Sequence, residues 1–126
     1  FIGGFASQEI NAQAIRKLYE DFGYVIDTHT GVACAVYHQY RNEQGDDTKT
    51  VIASTASPYK FSKSVMEALK GTMEDIDEFE AMELLHKTSG VGIPQAVEEI
   101  RSANIRHNTE CDIPEMKQVV SDILGL

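Results

Sequence analysis

Basic charge is scarce in this 126-residue chain. Eleven Lys and Arg stand against 20 Asp and Glu, a formal net charge of −9, and nothing gathers the basic residues into a stripe. A phosphate backbone needs such a stripe, so no nucleic-acid partner is expected. No apolar run approaches the roughly 18 residues of a membrane-spanning helix, and no signal-peptide pattern opens the chain. The expected setting is the cytoplasm, with no membrane partner. The two cysteines, Cys34 and Cys111, lack metal-site spacing and fit reduced cytosolic thiols. There is no Asp-x-Asp-x-Asp-Gly loop for calcium, no nucleophile-elbow motif, no repeat and no low-complexity tract. A starting Met is missing too: the chain begins at Phe1, and the expectation is a piece of something longer.

What is present suits an ordinary globular protein. Hydrophobic residues make up 42% and charged residues 25%, enough for one modest core. Phe1 to Ala6 is apolar around a Gly3-Gly4 break and suits a preceding strand or linker. Ser7 can cap a helix whose apolar stripe runs Ile10, Ala14, Leu18 and Phe22, widened by Ile15 and Tyr19 and stopped by Gly23. A second helix starts at Asp27 or Thr28 and ends before Gly45. Gly31-Val32-Ala33-Cys34-Ala35-Val36 is apolar all round, so its first half should be buried, with small residues that let a backbone or a flat ligand approach. Its start, Asp27-Thr28-His29-Thr30, is either a capped packing element or the wall of a site. His29 and His38 lie nine positions apart, on opposite helix faces at 100° per residue, which rules out a metal pair.

Thr50-Val51-Ile52-Ala53-Ser54-Thr55 opens with β-branched apolar residues, and the expected fold class is α/β, with a buried strand at about 50–55 flanked by helices. Hydroxyls just past a strand end suit a ligand edge, though a polar turn there is also common. A lone strand makes no sheet, so its partners must come from missing chain, rearrangement or oligomerisation. Phe61 and Met66 around a Ser62 cap form an expected staple into a third helix that buries Val65 and Leu69. The mainly helical remainder begins with an acidic run from Glu74 to Glu83, where Asp75 and Glu78 suggest a capping box. A short helix with Pro94 in its first turn follows. Ile105 to Cys111 suits an edge strand or an extended crossing. In the last helix, Asp112 caps and Met116, Val119, Val120 and Ile123 form a face expected to dock the terminus.

Two stretches resemble one family. Thr55-Ala56-Ser57-Pro58-Tyr59-Lys60-Phe61 is similar to the Thr-Ala-x-Pro-x-Lys-Phe signature of the long-form threonine synthases, pyridoxal-phosphate enzymes of the tryptophan-synthase-like fold (fold type II). Gly23-Tyr24-Val25-Ile26-Asp27-Thr28-His29-Thr30-Gly31-Val32-Ala33 is similar to the family's Gly-Tyr-x-x-Asp-Pro-His-Thr-Ala-Val-Ala. It departs at Thr28, where the family has Pro, and at Gly31, where Ala is frequent. Ile105 to Asp112 also has a familial look.

The resemblance implies a C-terminal fragment in which residues 1–71 belong to the cofactor domain and 72–126 form a helical extension. The implied reaction converts O-phosphohomoserine and water to threonine and phosphate. In such enzymes a neutral hydroxyl meets the ring nitrogen of pyridoxal 5′-phosphate, which implies Thr55 for that partner, with Ser54 second. Asp27 and His29 match positions on the cofactor side. Lys60 is a tempting Schiff-base residue, but it follows the ring-nitrogen hydroxyl too closely to reach the aldehyde at the opposite end of the ring. The family's Schiff-base Lys lies in chain preceding Phe1, so no catalytic residue is expected here and the fragment alone should be inactive. Lys60 is then a structural ion pair or a contact to substrate phosphate. The implied partners are the small-molecule substrate and the rest of the same polypeptide. The alternative is a stand-alone acidic interaction or small-ligand module related to the enzyme.

Overall fold

The computed structural model describes residues 2–126; Phe1 lies outside the described residues. Among the described residues six helices follow one another: α1 (Gln8–Phe22), α2 (Thr28–Gln44), α3 (Ser62–Lys70), α4 (Glu78–Ser89), α5 (Gln95–Ser102) and α6 (Met116–Leu124). Short 3₁₀ turns at Pro58–Phe61 and Ile113–Glu115 lead into α3 and α6.

Local chemistry sets the helix ends. Ser7 Oγ accepts from the Ile10 amide at 3.3 Å, and Gly23 closes α1 at φ 67°, a left-handed conformation that glycine adopts without strain. Asp27, not Thr28, caps α2. The expected Ser62 cap moves upstream: Ser57 Oγ receives the Tyr59 amide at 3.2 Å, while Ser62 is buried and its hydroxyl donates back to the Tyr59 carbonyl. The capping box of α4 is Asp77 with Glu80, at 2.8 and 3.0 Å, in place of Asp75 with Glu78. Asp75 instead takes φ 60° in the turn, and Glu78 receives the Lys63 amide.

The core lies between α1, α2, α3 and α4. Ile15, Ile26, Val65, Met66 and Leu85 are large apolar side chains almost fully buried in it, with Val25, Cys34, Tyr59, Ala68 and Met82 around them. In α1 the stripe centres on Ile15; Ile10 and Phe22, at its two ends, are exposed. Polar ties cross the core boundary: Arg16 Nε donates to the Ala68 carbonyl and the Tyr19 hydroxyl to the Thr88 carbonyl, each at 2.8 Å.

The α/β expectation fails. Among the described residues there is no strand, and the buried strand expected at about 50–55 is an irregular segment with Val51 92% exposed and Ile52 half-buried. The physical reason is non-local. A strand becomes stable only when a neighbour satisfies its backbone donors and acceptors, and among the described residues no amide from Thr50 to Ala56 finds a backbone partner. A helix-rich chain remains. Ile105 to Cys111 likewise carries no regular element and is exposed. The face of α6 does not dock: Met116, Val120 and Ile123 are exposed, because α1 to α4 already cover one another's apolar surface. Among the described residues no helix is long and apolar enough to cross a membrane.

Candidate functional site

The start of α2 gathers several of the candidate side chains. Val25 and Ile26 are pinned in the core, which fixes the next residue, Asp27, at 1% exposure. Its Oδ1 accepts from the His29 amide at 2.8 Å, the Thr30 amide at 3.4 Å and His29 Nδ1 at 3.0 Å. Its Oδ2 accepts a hydrogen bond from the Thr30 hydroxyl. Burial pushes the Asp27 carboxyl upward, but the bonds from the Thr30 hydroxyl and from His29 outweigh it and hold the group below its ordinary value. An ionised carboxylate is acceptor-only, so His29 carries its proton on Nδ1 and leaves Nε2 free.

Thr30 links this cluster to the second family-like stretch. Its Oγ1 lies 3.0 Å from Ser54 Oγ, across 24 positions of sequence. Asp27, His29 and Ser54 are therefore brought together. Thr55 is adjacent in the chain but exposed. Lys60 is exposed and makes no ion pair among the described residues; its ammonium sits 5.5 Å from the centre of the Phe61 ring, itself 5.6 Å from His29.

Two open cavities flank His29. One, of about 670 Å³, lies between α1 and α3 and is lined by Asn11, Arg16, Thr28, Ser64 and Glu67 among others. The other, of about 640 Å³, is apolar and runs along Val32, Val36, Tyr37 and Tyr40 of α2 opposite Thr50 to Ala53. Among the described residues no lysine lines either cavity. Gly31 faces neither. A Cβ there would stand 2.2 Å from Asn11 Oδ1 and 2.8 Å from Ile15 Cγ1, so its smallness serves the close approach of α1 rather than a ligand. Sequence reasoning missed Thr30 as the link and α1 as a cavity wall. A Thr three residues after an Asp cap was the available signal for the first; nothing local marked the second.

The sequence profile described as "Threonine synthase, C-terminal" matches residues 30–107, a span holding Thr30, Ser54, Thr55 and Lys60. A threonine synthase of Methylobacillus glycogenes is 33% identical over 85 residues, covering 68% of this chain and 17% of that protein. Threonine synthase-like 1 of Pongo abelii is 32% identical over 84 residues, 67% of this chain and 11% of the relative. The human protein of the same name is 31% identical over the same length. The matched part thus spans less than a fifth of these relatives. This chain belongs to the family of threonine synthase C-terminal domains.

Proposed function

We propose that this chain is the C-terminal part of a cytoplasmic, pyridoxal-phosphate-dependent lyase that converts O-phosphohomoserine and water to threonine and phosphate, and that it is inactive by itself. The observation that carries this reading is the hydrogen-bonded link from buried Asp27 through Thr30 to Ser54, which sets the hydroxyls of the Ser54 to Phe61 motif beside the start of α2. When bound, the cofactor supplies an electron sink for a substrate carbanion. The residues present fit one end of it: Ser54 and Thr55 are exposed hydroxyls able to meet a ring nitrogen. Asp27 holds His29 in one tautomer, with Nε2 open, and Lys60 is free to meet a substrate phosphate. The other end of the cofactor needs an amine, and the cavities offer none. That amine belongs to the remainder of the polypeptide. Residues 1–71 would then belong to the cofactor-binding part and 72–126 to a helical extension.

Mixing the purified chain with pyridoxal 5′-phosphate, reducing with borohydride and weighing the product tests this. The expected result is no stoichiometric adduct and no threonine from O-phosphohomoserine. Both should appear on co-expression with the complementary N-terminal part of the Methylobacillus glycogenes enzyme. One-to-one labelling of Lys60 with turnover by the isolated chain would overturn the incomplete-enzyme reading.

A further inference from the structure

The bonds around Thr30 have a direction, and the direction constrains what Ser54 can bind. Both oxygens of the buried Asp27 carboxylate only accept. The Thr30 hydroxyl has a single hydrogen, and its bond to Asp27 Oδ2 uses it. The 3.0 Å contact between Thr30 Oγ1 and Ser54 Oγ must then be donated by Ser54. Ser54 in turn has one hydrogen, now committed inward, and what it shows to solvent is lone pairs. Thr55, exposed beside it, has no such commitment.

We infer that Ser54 is a fixed acceptor, so the ligand group opposite it must bring its own hydrogen, as a ring N–H, an ammonium or a hydroxyl does. Thr55 is the hydroxyl left to donate. Resting on the function proposed above, the consequence is specific: Ser54 would accept only from a cofactor ring nitrogen that carries a proton, whereas Thr55 would donate to one that carries none. A serine hydroxyl, normally indifferent to direction, becomes selective because a carboxylate two bonds away has set its polarity. Asp27 and Thr30 are positioning residues in this scheme. The mechanism needs no strand at 50–55, only the observed Thr30 contact.

Two readings on the intact chain, neither using the cofactor, test the inference apart from the lyase proposal. In the first, nuclear magnetic resonance follows exchange of the Ser54 and Thr30 hydroxyl protons. Both should be protected, and Thr30→Val should abolish protection at Ser54. A protected Thr30 proton beside a freely exchanging Ser54 proton would overturn the inference. The second reading titrates the chain, at mildly alkaline pH, with two flat rings of one size: 4-pyridone, which carries an N–H, and 4-methoxypyridine, which offers only a lone pair. Shifts at Ser54 should report tighter binding of the pyridone, by about two- to tenfold for one neutral hydrogen bond. Thr30→Val, which frees the Ser54 hydrogen, should erase the preference. So should Ser54→Ala, at an exposed position where folding is not at stake. Preference for 4-methoxypyridine, or no response at Ser54 to either ring, would refute the assignment.

Discussion

Asp27 is at once a helix cap, the anchor of His29 and the terminus of a hydroxyl relay. Because its folded carboxyl is held below the ordinary value of about 3.9, Asp27 favours folding at neutral pH. That contribution is present above the unfolded value and is lost as pH falls through the lower folded one. Thermal unfolding followed by circular dichroism from neutral to strongly acidic pH should therefore show a falling midpoint below about pH 4, where an unfolded aspartate binds its proton. Asp27→Ala should cost about 0.5–2 kcal/mol at neutral pH through the lost cap, and Asp27→Asn, which keeps a capping oxygen, should flatten that part of the curve. An unchanged acid limb in the variant would show that other carboxylates carry the acid sensitivity. At this scale the sequence was legible where partners are neighbours: Asp27 and Thr30 lie one helical turn apart. The Thr30–Ser54 contact was not legible, because 24 intervening residues decide it.

Among the elements, the pairing of α1 with α2 depends on Gly31. Alanine in mid-helix is ordinarily the better residue by about 0.5–1 kcal/mol. Here its methyl would meet Asn11 Oδ1 and Ile15, and Ile15 is 1% exposed with no room to withdraw. Overpacking of that kind costs about 1–3 kcal/mol, so Gly31→Ala should lower stability in spite of its higher helix propensity. The expected drop is several degrees in Tm, taking on the order of 4 °C per kcal/mol for a domain of this size. Asn11→Ala in the same chain should restore part of it, since the nearest obstacle and a buried oxygen without a hydrogen-bond partner go together. A double variant as unstable as Gly31→Ala alone would place the strain at Ile15. The helices themselves were foreseeable from caps and glycines, which act within a turn. The strand was not, because β-branched residues state a preference that only a neighbouring backbone can satisfy. The α6 face misled for a related reason: its apolar spacing reports a helix, not what the helix packs against.

For the whole molecule, the acidic balance was legible in the sequence, while the arrangement of the core came only with the structure. Cys34 is buried, which pushes its thiol up and keeps it unreactive, whereas Cys111 is exposed. The core is assembled from both sides of the irregular 45–57 segment. Ile15, Ile26 and Cys34 come from before it, and Val65, Met66 and Leu85 from after it.

That division has a consequence for a cut chain. Exposed, unpaired backbone is where proteases act first, and Lys49 and Arg106 both lie in such backbone. Brief trypsin treatment should cleave after these two residues before any site within α1 to α4. The cut after Lys49 should not separate the halves, because Arg16 still holds Ala68, Tyr19 still holds Thr88, and Ile15 remains enclosed. Residues 1–49 and the remainder should travel as one species on a sizing column and part only in denaturant. Separate elution in native buffer would mean that covalent continuity, rather than the buried contacts, keeps the four helices together. If the pieces do stay joined, the molecule behaves as two complementary peptides that happen to share a backbone, and new chain could be inserted after Lys49 without dismantling the site.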